Sequence, residues 1–379
     1  MRTLNKMKKI VFLTGTRADF GKLKSLMWIL QDNELFESHV FVTGMHMQEL
    51  YGYTLIEVQK SGLKNIHTFK NHTHETTMDL TLAKTIEGFS EYVESIKPDL
   101  VVIHGDRVEA LAGAIVGSLN NILVAHIEGG ELSGTIDELI RHATSKLSHI
   151  HFVANNLAKK RLIQMGEVSE SVFTIGSPDI DIMFSDNLPD LKEVKNYYEI
   201  PFEDYALAMF HPVTTEIDLM QIHADNFVKA LIKSTKNYVV IYPNNDLGSK
   251  HILNAYSRLE NNSCFKVYPS LRFEYFLSLL QHADFVIGNS SAGIREAPYY
   301  GIPTINIGTR QHNRISNIDL INTNYDSTSI LDAIKGVENI VFPKTQMFGQ
   351  GNSSQEFLTC LSSNQFWTIN HQKQFRDLS

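Results

Sequence analysis

A chain of 379 residues is long enough for about two or three domains at roughly 150 residues each. Apolar residues make up 43% and charged residues 20%, a balance that suits a folded globular protein and excludes a disordered one. With 42 acidic against 34 basic residues the formal charge is -8, which excludes an overall basic footprint for nucleic acid.

The basic start (Arg2, Lys6, Lys8, Lys9) looks like the opening of a signal peptide. The apolar run behind it, residues 10–13, stops at Thr14-Gly15, so no targeting signal is expected and residues 1–6 read as a short tail. The longest apolar stretch, residues 111–119, falls far short of the ~20 residues of a membrane span. Cys264 and Cys360 cannot build a disulfide framework or a four-thiolate metal site, and a reducing cytosol is the expected compartment.

From there, short β-rich runs alternate with amphipathic segments. Residues 11–13, 40–42, 100–103, 122–125 and 151–153 read as buried parallel strands. Residues 22–30, 80–97, 108–119 and 136–147 read as helices between them. The rhythm resumes with strands at 206–210, 238–242, 265–268, 285–287 and 304–307. Two series of βα units predict an α/β protein of two doubly wound sheets, residues 1–190 and 191–379. The polar stretch at 185–204, with Pro189 and Pro201, is the expected linker, and the last helix is a candidate to pack back on the first domain. In such sheets ligands bind beyond the carboxyl ends of the strands, so residues that follow strands matter most.

The first strand runs into Thr14-Gly15-Thr16-Arg17-Ala18-Asp19-Phe20-Gly21-Lys22. A glycine turn feeding a helix suits an anion, although an ordinary turn with a surface arginine explains as much. The spacing is not G-x-G-x-x-G. The next strand ends Val42-Thr43-Gly44 with no acidic residue for a ribose, which argues against a dinucleotide site. A second anion site is better marked. Gly288-Asn289-Ser290-Ser291-Ala292-Gly293-Ile294-Arg295-Glu296 joins a buried strand to a helix. Two hydroxyls and first-turn amides could hold a diphosphate there, with Glu296 placed for ribose hydroxyls. Capping accounts for one serine only.

Acidic residues gather after two adjacent strands: His104-Gly105-Asp106-Arg107, then His126-Ile127-Glu128-Gly129-Gly130, followed by Asp137 at a helix start. Converging strand ends would give Asp106, Glu128 and Asp137 one pocket with His104 and His126, as acid/base chemistry near neutral pH requires. Taken singly, Asp137 fits a helix first turn and Asp106 a partner for Arg107. His211-Pro212-Val213-Thr214-Thr215-Glu216 and Pro243-Asn244-Asn245-Asp246 follow strands of the second series. Among 16 histidines the densest local cluster is His72-Thr73-His74-Glu75. It lacks zinc spacing and reads as a surface loop, so no metal is expected. Phe273, Tyr275 and Phe276 read as core.

Taken together these motifs resemble the UDP-N-acetylglucosamine 2-epimerase family, in particular its hydrolysing branch, which feeds sialic acid and related nonulosonic acids. The match rests on Thr16-Arg17-Ala18-Asp19, His104-Gly105-Asp106-Arg107, His126-Ile127-Glu128-Gly129-Gly130, Gly134-Thr135-Ile136-Asp137 and Arg141-His142-Ala143. In the second half it rests on His211-Pro212-Val213-Thr214-Thr215, Gly288-Asn289-Ser290-Ser291 and Gly308-Thr309-Arg310-Gln311. The resemblance implies two Rossmann-like domains in the glycosyltransferase-B arrangement, with UDP in the interdomain cleft. It assigns UDP and substrate contacts to Arg17, Ala18, Asp19, Arg107, His211, Asn244, Ser290, Ser291, Arg295, Glu296 and Arg310. It makes Asp106, Glu128 and Asp137 the reaction-centre carboxylates, and His126 joins them as a candidate acid or base.

The implied reaction converts UDP-N-acetylglucosamine and water to N-acetylmannosamine and UDP through 2-acetamidoglucal, with no cofactor. The implied setting is a cytoplasmic homodimer or homotetramer with no nucleic-acid or membrane partner. UDP-N,N'-diacetylbacillosamine is the alternative substrate. The non-hydrolysing epimerase, a UDP-sugar glycosyltransferase and a non-catalytic UDP-sugar sensor are the alternative functions.

Overall fold

Unbroken apolar runs, not alternating ones, form the central strands, because helices cover both faces of a parallel sheet. In the computed structural model, which describes residues 7–72, 77–133, 135–311, 319–337, 340 and 342–377, these runs lie in two all-parallel sheets. The first contains β1 (Lys8–Thr14), β2 (Phe36–Val42), β3 (Ile66–Thr68), β4 (Leu100–His104), β5 (Leu123–Ile127), β6 (Ile150–Val153) and β7 (Val172–Thr174). Its order is β3-β2-β1-β4-β5-β6-β7. The second contains β8 (Ala206–Met209), β9 (Tyr238–Ile241), β10 (Phe265–Tyr268), β11 (Val286–Gly288), β12 (Thr304–Ile307) and β13 (Ile321–Thr323), in the order β10-β9-β8-β11-β12-β13. Each sheet reverses direction of winding once, between β1 and β4 and between β8 and β11. Those switch points are where strand ends open into a crevice.

The chain forms two compact units. One gathers Met1–Glu131, Asp137–Ser185 and Met347–Ser379; the other gathers Leu132–Ile136 and Asp186–Gln346. The polar stretch read as a linker contains the helix Leu191–Tyr197, capped by the Asp190 side chain and anchored by buried Val194. The edge strands β3, β7 and β13 escape a reading by apolar runs because each is only three residues long. No helix among the described residues is long and apolar enough to cross a membrane.

The last segment carries no recognisable motif, yet it belongs to the first unit's core. Helix Ser353–Ser362 begins where the Asp181 carboxylate accepts from the backbone N–H groups of Ser353 and Ser354, at 2.8 and 2.7 Å. Its Phe357 packs edge-on against Phe152, with ring centres 4.9 Å apart, and touches Phe12 of β1. Leu361 and Phe366 extend the same core. Phe357→Ala should therefore cost about 3–5 kcal/mol of stability in chemical denaturation, the range for deleting a buried aromatic ring. A loss under about 1 kcal/mol would mean that this segment is an accessory to the first unit's core.

Candidate functional site

The turn after β1 is built around Asp19. Thr16 caps helix Arg17–Gln31 by accepting from Asp19 N, and the Asp19 carboxylate accepts from Gly15 N and Thr16 N, both at 2.9 Å. Thr14 Oγ1 donates to the same carboxylate at 2.6 Å. The N–H groups of Gly15 and Thr16, which an anion would otherwise use, are thus already taken by the protein's own acid. With its proton on Asp19, Thr14 Oγ1 accepts from His46 Nε2 at 3.0 Å, so His46 Nδ1 accepts from Thr54 Oγ1 at 2.7 Å. Complete burial pushes the His46 ring down to about 4, which keeps it neutral in this frame. Arg17 leaves the same turn with Nη2 3.5 Å from Glu57 Oε1.

Two of the three predicted acids meet on one arginine. Arg141, only 1% exposed, donates from Nη2 to Asp106 Oδ2 and from Nη1 to the Glu128 carbonyl at 2.6 Å. Its Nη1 also lies 3.8 Å from Glu128 Oε2. Asp137 lies one turn before Arg141 on helix Ile136–Leu147, and that spacing puts the two on one face. Glu128 itself follows β5 in the left-handed region, φ 65°, an uncommon place for a residue with a side chain. Gly129 and Gly130 follow, and a Cβ on Gly130 (φ 73°) would meet the Ala158 carbonyl oxygen at 2.3 Å. Gly130 is therefore a requirement of the backbone path.

Around the Glu128 carboxylate, two more basic groups converge. Lys22 Nζ donates to Oε1 at 3.1 Å, and His104 Nε2 lies 3.3 Å from the same oxygen. Sequence reasoning quoted Lys22 and Arg141 within motifs but gave neither a role. The signal available was a lysine on the otherwise apolar face of helix Arg17–Gln31, where a buried charge needs a partner. Arg107 opens helix Val108–Leu119 as its N-cap residue, its Nε 3.4 Å from buried Glu109 Oε2. Gly134 of the Gly134-Thr135-Ile136-Asp137 motif lies outside the described residues, as do residues 73–75 of the histidine cluster. Among the described residues no group of three or more His, Cys, Asp or Glu could hold a metal ion.

In the second unit the predicted residues collect at the β8 and β11 ends. Gly288, φ 136°, could not carry a Cβ, which would stand 1.9 Å from the Met209 carbonyl oxygen. That close approach lets Asn289 clasp His211: Asn289 Oδ1 accepts from His211 N at 2.6 Å, and Nδ2 donates to His211 O at 2.9 Å. His211 Nδ1 in turn accepts from Asn244 N at 3.0 Å, and the Asn244 side-chain amide donates to Asp246. The Asn289 carbonyl accepts from Gln311 Nε2 at 2.7 Å and from Arg310 Nη1 at 3.4 Å. His211, Asn244, Ser290, Ser291 and Arg310 are each partly exposed, so a ligand can reach them. Arg295 and Glu296 are buried inside the unit, 1% and 3% exposed. The helix expected after the serines is two short pieces, Ala292–Arg295 and Ala297–Tyr300, so local N–H groups and hydroxyls, rather than a long helix dipole, are what the turn offers an anion.

Comparison with known proteins shows the family of the chain. A family model described as UDP-N-acetylglucosamine 2-epimerase matches residues 29–362. A protein of Neisseria meningitidis serogroup B named UDP-N-acetylglucosamine 2-epimerase is 48% identical over 98% of this chain and 100% of its own. A UDP-N,N'-diacetylbacillosamine 2-epimerase (hydrolyzing) of Legionella pneumophila is 33% identical over 92% of this chain and 94% of its own. Among solved structures, a UDP-GlcNAc 2-epimerase of Methanocaldococcus jannaschii in complex with UDP-GlcNAc and UDP superposes with a TM-score of 0.80. It is 23% identical and covers 94% of this chain and 99% of its own, a likeness of fold.

His126 lies on the protein side of the acids and is fully buried. Its Nε2 donates to the Gly105 carbonyl at 2.8 Å, which leaves Nδ1 to accept from Ser145 Oγ at 3.0 Å. Burial, partly countered by the bond to Gly105, pushes this ring down to about 3. Because the folded ring resists protonation, the unfolded chain binds more protons between about 3 and 6.5. Its contribution to stability is whole above 6.5 and is lost as pH falls through that window. Ring-nitrogen chemical shifts of His126 should therefore stay those of a neutral imidazole well below pH 6.5. Titration near 6.5 in the folded protein would overturn this reading.

Proposed function

Because the chain belongs to the UDP-N-acetylglucosamine 2-epimerase family, we propose that it is a hydrolysing member, converting UDP-N-acetylglucosamine and water to N-acetylmannosamine and UDP. One observation carries the reading: a single buried arginine ties Asp106 and Glu128 together one helical turn from Asp137. The hydrolysing route is supported by relatives of that name at 33% and 34% identity. UDP-N-acetylglucosamine as substrate, rather than UDP-N,N'-diacetylbacillosamine, is supported by the relative at 48%.

The chemistry sets the demands on the site. The C2 proton of the sugar is not next to a carbonyl and is poorly acidic. It becomes removable when the C1–O bond to UDP breaks in the same phase, leaving a C1=C2 double bond and free UDP. Water then adds its hydroxyl to C1 and a proton to C2 on the opposite face. A carboxylate takes the first proton, an acid delivers the second, and cationic and hydrogen-bonding groups stabilise the departing diphosphate. We assign the proton work to Asp106, Glu128 and Asp137. We assign UDP to His211, Asn244, Ser290, Ser291 and Arg310 of the second unit. His126 positions the Gly105 carbonyl in this reading and does not transfer protons. Asp19 shapes the turn that presents Arg17 and Ala18, and buried Arg295 and Glu296 brace the serine turn.

Product analysis tests this directly. Purified protein with UDP-N-acetylglucosamine should release UDP and N-acetylmannosamine without added nicotinamide or metal, and in deuterated water the product should carry deuterium at C2. UDP-N-acetylmannosamine as the final product would mean the non-hydrolysing reaction. Faster turnover of UDP-N,N'-diacetylbacillosamine would move the substrate assignment. Replacing Asp106, Glu128 or Asp137 by its amide should lower turnover roughly 100-fold or more, with UDP affinity much less affected. Ser290→Ala with Ser291→Ala should weaken UDP binding first. Near-normal turnover in all three amide variants would end the assignment.

A further inference from the structure

Lys22 meets both Glu128 and Asp179, and Asp179 has no role in the reading above. Its Nζ lies 3.1 Å from Glu128 Oε1 and 3.8 Å from Asp179 Oδ2. Asp179 is completely buried, and neither of its oxygens finds a hydrogen-bond donor among the described residues. Among the described residues its charged contact is the ion pair with Lys22. Such a group is costly to keep, because a carboxylate taken out of water wants both a countercharge and hydrogen bonds.

The local fold places it there firmly. Asp179 lies in the first turn of helix Pro178–Met183, which begins on a proline and packs along helix Arg17–Gln31, with Ser25 Oγ donating to the Pro178 carbonyl at 3.3 Å. Two residues on, Asp181 points elsewhere and caps helix Ser353–Ser362. The two acids of this short helix therefore do different jobs. Asp181 fastens the helix, and Asp179 faces the lysine.

We propose that Asp179 is a positioning residue that divides the charge of Lys22 and so keeps Glu128 basic enough to take a proton. The proposal rests on Glu128 being a reaction-centre acid, as read above. The groups facing the Glu128 carboxylate include Lys22 from helix Arg17–Gln31, His104 from β4 and Arg141 from helix Ile136–Leu147. Asp106 shares Arg141 and offsets part of its charge; Asp179 shares Lys22 and does the same from the other side. Without Asp179, more of the lysine's charge would bear on Glu128 and favour its ionised form. A carboxylate stabilised in that way is a weaker base, and general-base efficiency follows basicity.

Asp179→Asn keeps the shape and removes the charge. The acidic limb of the kcat pH profile for UDP-N-acetylglucosamine should move to lower pH, and the plateau should fall about tenfold with KM within about twofold of its original value. Asp179→Glu, which restores the charge, should recover most of both. In a Lys22→Met background the Asp179→Asn change should cost less than about twofold, since no lysine remains to be shared. Should the amide variant fail to fold, Asp179→Ser removes the same charge and leaves room for a water. An unmoved acidic limb, or an equal loss with and without Lys22, overturns the proposal. Full turnover by Glu128→Gln would instead refute the assignment of Glu128 itself, whatever Asp179 does.

Discussion

A guanidinium buried to 1% exposure has to find acceptors inside the protein, and the arrangement of the first unit's acids follows from how Arg141 finds them. One nitrogen takes the Asp106 carboxylate and the other takes the main-chain carbonyl of Glu128. That carbonyl is presented by Glu128 in the left-handed region, and two residues on the chain passes through Gly130, where a Cβ would run against the Ala158 carbonyl. The motif Glu128-Gly129-Gly130 is thus the backbone's answer to a buried arginine. The same arginine brings the β4 and β5 ends to one point and lies on the helix face that carries Asp137. Replacing Arg141 by lysine would keep the charge but lose the planar fork that serves two acceptors at once.

The second unit solves a different problem with the same topology. Where the first unit has to hold acids close together, the second has to leave polar groups reachable. Its switch point is pinned by Asn289, whose side chain bonds both the N–H and the carbonyl of His211 and whose own carbonyl accepts from Gln311 and Arg310. Gly288 permits the close approach of β11 to Met209 that makes this clasp possible. With the backbone ends satisfied by one another, Ser290, Ser291 and His211 remain partly exposed.

Much of this was legible in the residues, for a physical reason. Long buried parallel strands write themselves as apolar runs, and doubly wound sheets put chemistry at strand ends, so His104 to Arg107, His126 to Gly130 and Gly288 to Ser291 stand out. What stayed hidden depends on neighbours distant in sequence. Nothing local to Lys22 shows that it meets Glu128, over a hundred residues on, or that Asp179 shares it. Asp19 reads as an anion-site residue because its turn has the right composition; only the geometry reveals that its own carboxylate fills the N–H groups of Gly15 and Thr16. His126 reads as an acid or base by type, whereas its surroundings leave it no access to solvent and hold its ring neutral. The short edge strands carry too few apolar residues to announce themselves by period.

The motif-free tail shows how far the support of the acids extends. Lys373 Nζ donates to the Ser148 and Ser145 carbonyls at the end of helix Ile136–Leu147, at 2.6 and 3.3 Å, and reaches Glu167 at 2.5 Å. Burial alone would raise the Glu167 carboxyl. The hydrogen bond from His151, the charges of His151 and Lys373 and the hydrogen bond from Lys146 outweigh it and hold the group near 2, ionised at neutral pH. Ser145 is also the residue that donates to His126, and His126 fixes the Gly105 carbonyl next to Asp106. The tail, the helix carrying Asp137 and Arg141, and the β4 turn carrying Asp106 are therefore joined by consecutive hydrogen bonds. Each of those bonds is buried or partly buried, so water competes weakly for it, and the orientation of the acids is set as much by groups behind them as by those in front.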